Sequence, residues 1–138
     1  MMRRWITLCE ATVSVHLYHV TDSSRLSSIQ SVGLDPRKSR EPAFRQRAIY
    51  LSGDSAHARA YADHHGDWQG EPVLLRVNSR DLDQSLLGPD DVDLPDLLDQ
   101  EGEDWQDFTW LQSLHTSGQC TYAGVIPPNI IHIVDNQR

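Results

Sequence analysis

The segment Pro72 to Val77 narrows the possible folds more than any other stretch, because it is a nearly continuous apolar run with the length of one strand. Successive residues of a strand point to opposite faces, so a strand that is apolar at consecutive positions is expected to be buried on both faces. The run therefore predicts a central strand, which other elements of the chain must flank.

Strands and short helices alternate on both sides of this run. Val13 to Val20 is rich in β-branched and aromatic residues and predicts a strand that ends near a histidine. A short helix follows, with Gly33 where a left-handed C-terminal residue is favoured. The other predicted elements are strands over 48–52, 120–126 and 130–134, helices over 55–62 and 108–114, and a helical turn over 94–98. The order predicts one domain of the mixed α+β class over residues 1–138, with an irregular start over 1–12.

The net charge of −8 is unevenly distributed. Residues 1–69 hold nine basic and seven acidic side chains, whereas residues 70–138 hold three basic and thirteen acidic ones. Eleven of those acids lie between Asp81 and Asp107, which predicts an exposed acidic insertion. An acidic half would repel phosphate, so binding along a nucleic-acid backbone is not expected. A local anion site in the basic loop 35–47 stays open.

Several other classes of protein are disfavoured by the sequence. No apolar run approaches the roughly 20 residues of a membrane-spanning helix, and the apolar stretch after Arg4 is too short for a secretory signal. Two cysteines far apart fit a reducing compartment, so we predict a cytoplasmic protein. His57, His64 and His65 lie near acidic residues, but solvated side chains explain them better than a metal site, and no metal is expected.

The polar groups that could carry chemistry lie at the ends of elements, where a rigid scaffold can present them. His19 closes the first strand, Tyr50 and Ser52 lie on the second, and Tyr61 lies on the helix after it. Each of these residues has an ordinary structural explanation by itself. Their order and spacing along the chain are more informative than any one of them.

Taken together, these motifs resemble those of the ADP-ribosyltransferase superfamily, in particular its His-Tyr-Glu branch of diphtheria-like toxins and poly-ADP-ribose polymerases. The resemblance rests on Leu17 to Thr21, a helix that leads to Ile29-Gln30-Ser31-Val32-Gly33-Leu34, the strand Ala48 to Ser52, and Tyr61 eleven positions after Tyr50. A weaker likeness covers Tyr122 to Ile131. The resemblance implies two small packed β-sheets with an NAD cleft between them and short flanking helices.

The resemblance also gives roles to single residues. His19 would bond the adenosine-side ribose of NAD, and Val20, which stands where the family has glycine, would meet the nicotinamide carboxamide through its backbone. Thr21 stands at the Ser/Thr position of the same motif and is also expected to bind the cofactor. Tyr50 and Tyr61 would flank the nicotinamide ring, which suits aromatic faces through stacking and cation–π attraction. Ser52 would be a supporting hydroxyl, and Arg45 or Arg47 would hold the pyrophosphate.

One departure from the family pattern bears on catalysis. The glutamate expected at the start of the penultimate strand is missing, and the position falls within Gln119 to Thr121. Gln119 could bond the ribose of NAD without supplying charge. Acids that could substitute for the glutamate precede this strand, namely Glu101, Glu103, Asp104 and Asp107.

The function expected from the resemblance is an NAD-dependent ADP-ribosyltransferase, similar to a toxin or a phage modifier, that acts on a protein or nucleic acid. NAD is its substrate, and no membrane partner is expected. Two alternatives remain open. Tyr50 to Asp54 and Glu71 to Val77 also resemble RNA 2′-phosphotransferases, which use NAD as a phosphate acceptor. The missing glutamate is equally compatible with a non-catalytic domain that binds NAD or ADP-ribose.

Overall fold

Six strands and four helices organise the part of the chain that the computed structural model describes, residues 13–38, 48–65 and 68–134. The strands are β1 (His16–Asp22), β2 (Ile49–Ser52), β3 (Pro72–Asn78), β4 (Leu87–Pro89), β5 (Gln119–Tyr122) and β6 (His132–Ile133). The helices are α1 (Leu26–Val32), α2 (Ser55–His65), α3 (Asp93–Leu98) and α4 (Trp110–Ser117). The predicted mixed α+β class is confirmed. Short 3₁₀ turns join several of these elements.

All six strands form a single antiparallel sheet in the order β4-β5-β2-β1-β3-β6. The prediction of two packed sheets is therefore wrong, because the described strands belong to one sheet. One residue pair, Tyr18 with Ser52, joins β1 to β2 and so connects two three-stranded halves into one sheet. The longer ladders lie within the halves, seven pairs between β1 and β3 and four between β2 and β5.

The predicted burial of the strand over 72–77 on both faces is confirmed by β3, in which the consecutive residues Leu74 and Leu75 are both buried. Its place in the sheet is between β1 and the short edge strand β6 and not at the centre. Alternate strand residues on one face of the sheet form the main core, which α1 and α4 complete with Ile29 and Trp110. The strand residues of this core are Leu17, Ile49, Leu51, Leu75, Val77, Cys120 and Tyr122. The opposite face is also covered, because α2 packs against β1, β2 and β3 and buries Ala58 and Ala62.

The acidic segment 81–107 is not the exposed insertion that its charge predicted. It provides β4, which pairs with β5 at the edge of the sheet, and the predicted helical turn, which is α3. Three of its leucines, Leu82, Leu94 and Leu98, are buried. Even Asp90 is fully buried, because its carboxylate accepts hydrogen bonds from the backbone N–H groups of Val92 and Asp93. Apolar burial therefore determines the path of this segment, and many of its other acids point to solvent.

Element boundaries differ from the predicted ones by a few residues at several ends. The last helix begins at Trp110 because Thr109 and Gln112 form a reciprocal capping box. The strand predicted over 120–126 ends at Tyr122, and the last strand is limited to β6. Within the described ranges, no helix combines the length and apolar character needed to cross a membrane.

The carboxylate of Asp22 anchors the end of β1 to the start of β3. It accepts hydrogen bonds from the backbone N–H groups of Ser24 at 2.9 Å, Gln69 at 2.6 Å and Gly70 at 2.9 Å. These bonds, with that from Ser24 the largest contributor, hold the pKa of Asp22 below its usual value. A lowered folded-state pKa contributes stability above the unfolded-state pKa, and this stability is lost as the pH falls through the folded-state pKa.

We therefore expect Asp22→Asn to lower the Tm by several degrees at neutral pH. The variant should also lose less stability than the wild type as the pH falls below about 4, the ordinary pKa of an aspartate. Thermal unfolding followed by circular dichroism at neutral and acidic pH measures both effects. Asp81→Asn, which changes an exposed carboxylate, is the matched control. If acidification lowered the Tm of the wild type and of Asp22→Asn equally, the lowered pKa of Asp22 would not be the source of this acid-dependent stability.

Candidate functional site

His19 and Tyr50 meet at the junction between the two halves of the sheet. The Nδ1 atom of His19 lies 2.9 Å from the backbone carbonyl oxygen of Tyr50. A carbonyl oxygen only accepts hydrogen bonds, so Nδ1 carries the proton and Nε2 is the acceptor nitrogen of the neutral ring. The His19 ring is half-buried, and its bond to the Tyr50 backbone fixes its orientation at the junction.

The position of this contact follows from the pairing of β1 with β2. The ladder between these described strands has the single pair Tyr18–Ser52, and beyond it toward Asp22 the strands no longer pair. His19 lies just past that pair, and its ring bonds the Tyr50 carbonyl where a backbone ladder would otherwise continue. A strand junction that opens beside a histidine is a suitable place for a ligand, because backbone groups there are not all used by the ladder.

Tyr50 lies on the face of the sheet opposite the main core. Its side chain is buried, and its hydroxyl donates a hydrogen bond of 2.8 Å to Oδ1 of Asp91. Ser52 and Thr121 are on the same face, since Ser52 is two residues along β2 and Thr121 pairs with Tyr50. Gln119, which pairs with Ser52, completes a row of buried polar side chains.

Helix α2 brings Tyr61 and His57 over this face. Tyr61 is half-buried on a helix that packs against both β1 and β2, the strands that carry His19 and Tyr50. His57, on the same helix, places Nδ1 3.2 Å from the hydroxyl oxygen of Ser52. Ser52 is therefore in contact with α2, and its predicted role in the NAD site stays a prediction.

Val20 and Thr21 lie beyond the junction on β1. In the ladder with β3, Val20 pairs with Leu74 and Thr21 pairs with Val73. The Thr21 side chain is buried, whereas Val20 is half-buried on the face opposite His19. The backbone of Val20 is therefore next to the open end of the junction, while its side chain points away from the His19 ring.

Gln119 begins β5 and is almost completely buried, with 1% of its side chain exposed. Its Oε1 atom is buried and has no hydrogen-bond partner among the described residues. The backbone carbonyl of Gln119 accepts a 2.7 Å bond from the Ser113 hydroxyl. Gln119 thus places an uncharged amide at the position where the family resemblance expects a glutamate.

The acids predicted as substitutes for that glutamate lie at the surface. Glu101, Glu103, Asp104 and Asp107 are all exposed. The acid that lies beside Tyr50 is Asp91, which the sequence analysis missed. A signal was present, because leucines at several positions around Asp91 indicated that this part of the segment packs against the domain.

Some of the remaining candidates lie outside the described residues, and others lie elsewhere in the fold. Arg45 and Arg47 lie outside the described residues, so their predicted role stays a prediction. Arg37, from the same basic loop, forms an ion pair of 2.9 Å with Asp35 and holds the pKa of that carboxyl at about 2. The side chains of His64 and His65 are outside the description, and the described residues contain no group of three metal-binding side chains.

Cys120 is fully buried in the main core. Burial, with a smaller contribution from the charge of Asp90, raises the pKa of its thiol far above the usual value. A thiol that stays protonated is a poor nucleophile, so Cys120 acts as a small apolar core residue, as predicted.

No family model matches this chain, and no curated protein matches it either.

Proposed function

We propose that this protein is an NAD-dependent ADP-ribosyltransferase that binds NAD at the junction of β1 and β2. The observation that carries the proposal is the 2.9 Å hydrogen bond between His19 and the backbone of Tyr50. These residues are 31 positions apart in the chain, and the resemblance assigns both to NAD. Their direct contact supports a common site.

The chemistry of the neighbouring groups supports the same substrate. The acceptor nitrogen of the His19 ring suits a ribose hydroxyl, which donates a hydrogen bond. Tyr50 and Tyr61 supply aromatic rings, whose negative faces attract a planar cationic ring such as nicotinamide. The buried oxygens of Gln119 and Asp91 are acceptors for further hydroxyl or amide donors of the ligand.

The reaction breaks the bond between the nicotinamide nitrogen and C1′ of its ribose. The bonding electron pair leaves with nicotinamide, which becomes neutral, and the positive charge moves to the ribose. A nucleophilic group of the acceptor gives an electron pair to C1′ and releases its proton to solvent. Water replaces the acceptor when none is present and yields ADP-ribose.

The test is to mix the purified protein with NAD and measure binding by calorimetry and free nicotinamide by chromatography, with and without cell extract as a source of acceptors. We expect binding and nicotinamide release. Tyr61→Ala should weaken NAD binding about tenfold or more, since stacking of one aromatic ring on a base contributes about 1–3 kcal/mol. Tyr61→Phe keeps the ring and is the matched control.

Other results of the same experiments would favour one of the two alternative functions. NAD binding without nicotinamide release, even with cell extract, would favour a non-catalytic NAD-binding domain. Transfer of phosphate from a 2′-phosphorylated RNA to NAD would favour the RNA 2′-phosphotransferase. Equal NAD affinity of the wild type and of Tyr61→Ala would contradict the location of the site.

A further inference from the structure

Asp91 is a buried carboxylate in direct contact with the proposed NAD site. Only 7% of the residue is exposed, and its Oδ1 atom accepts the hydrogen bond of the Tyr50 hydroxyl at 2.8 Å. Burial of a carboxylate costs free energy unless its oxygens are fully bonded. Carboxylates that are buried without full bonding are often found at functional sites. Asp91 therefore requires an explanation beyond the general acidity of its segment.

The second oxygen of Asp91 is not bonded by any residue that the structure describes. Oδ2 is buried and has no hydrogen-bond partner among the described residues. The Oε1 atom of Gln119 is in the same state. Buried polar atoms are nearly always bonded in native proteins, so two acceptors without donors among the described residues are suited to a ligand that supplies donors.

Strand pairing brings these two acceptors to one side of the sheet. Gln119 pairs with Ser52, two residues along β2 from Tyr50, which places it about 7 Å along the strand from the Tyr50–Thr121 pair on the same face. The hydroxyl of Ser113 links the two chain segments, because it donates to the carbonyl of Gln119 at 2.7 Å and accepts from the N–H of Asp90 at 2.9 Å. Asp91 is the next residue after Asp90.

We propose that Asp91 is the catalytic carboxylate of this protein and takes the place of the glutamate that Gln119 does not provide. This inference rests on the proposed function. As the bond between nicotinamide and C1′ breaks, positive charge develops on the ribose, and a fixed negative charge in a buried site stabilises that charge. Gln119 bonds a ribose hydroxyl through Oε1. Asp91, in the loop that follows β4, provides the negative charge.

The test compares nicotinamide release and NAD affinity in Asp91→Asn and in the wild type. Asparagine keeps an oxygen that can accept the Tyr50 hydroxyl bond and removes the charge. We expect the rate of nicotinamide release to fall at least about 100-fold, the usual loss for one electrostatic group at a transition state. The affinity for NAD should change by less than about threefold, because the charge acts on the transition state and not on bound substrate. Asp99→Asn removes one exposed charge from the same segment and should leave the rate unchanged.

A second variant tests the position of the charge. In the Asp91→Asn background, Gln119→Glu returns a carboxylate to the same face of the sheet and should raise the rate at least about tenfold. A rate for Asp91→Asn close to that of the wild type would overturn the inference and leave the proposed function intact. Parallel losses of rate and NAD affinity would also overturn it, since they would make Asp91 a binding residue.

Two further results separate this inference from the proposed function and from a structural role. Absence of NAD binding and nicotinamide release in the wild type would reject the proposed function, and the inference with it. Asp91→Ser keeps a hydroxyl for Tyr50 and serves if Asp91→Asn does not fold, with the same loss of rate expected. Unfolding of both variants would assign Asp91 to the fold alone and overturn the catalytic role.

Discussion

Gly33→Ala is expected to destabilise the domain by at least about 3 kcal/mol and to lower the Tm by about 10 °C. Gly33 ends α1 at φ 85° and ψ −170°, a region that is essentially restricted to glycine. A Cβ atom at this position would lie 2.1 Å from the backbone carbonyl oxygen of Ile126. That carbonyl accepts the N–H of Leu34, so the bridge that fixes α1 against the C-terminal segment would have to shift.

Gly102→Ala is the matched control for this prediction. Gly102 also has a positive φ, 70°, but nothing lies within 4 Å of an added Cβ atom. Gly102→Ala should lower the free energy of unfolding by only about 1 kcal/mol, because alanine is strained in the left-handed conformation. Chemical denaturation of both variants measures the difference. Equal losses would show that the contact with Ile126 does not limit the packing of α1.

His19→Ala is expected to lower kcat/KM for nicotinamide release about 1000-fold. Its ring holds the Tyr50 carbonyl across the strand junction, and a misplacement of about 1 Å in a site can cost about 100-fold in rate. Loss of the hydrogen bond proposed between Nε2 and the ribose accounts for up to about a further tenfold. Initial rates of nicotinamide release at several NAD concentrations provide the measurement.

Two variants separate the parts of this effect. His19→Asn places a donor near the position of Nδ1 and should retain the bond to Tyr50, so its loss should be closer to about tenfold. His16→Ala removes an exposed histidine from the same strand and should have no effect on the rate. An unchanged rate in His19→Ala would remove His19 from the site.

The sequence predicted most elements of the fold because their signals are local. The apolar run of β3, the glycine that ends α1 and the alanine-rich α2 were recognisable without tertiary information. The prediction of two sheets was wrong because the pairing of strands into a sheet is not a local signal. Whether β1 and β2 belong to one sheet depends on a single pair, Tyr18 with Ser52, which no local pattern encodes.

The same distinction applies to the candidate site. His19 and Tyr50 could be selected from their motifs, and the structure joins them. Asp91 was missed, because its segment was judged by its charge, whereas the path of the segment is determined by leucines such as Leu94 and Leu98 that pack against the domain. Average acidity predicts exposure and does not identify single acids, such as Asp90 and Asp91, that are buried beside apolar neighbours.

By itself, the sequence determined the mixed α+β class and the order of most elements, and it predicted the histidine and tyrosines that we propose to bind NAD. These features depend on side-chain periodicity, capping residues and motif spacing, all of which act over short stretches of chain. Only the tertiary structure decided that the halves form one sheet and that Asp91 meets Tyr50. Those contacts join residues 34 and 41 positions apart, and burial of apolar side chains throughout the domain brings them together.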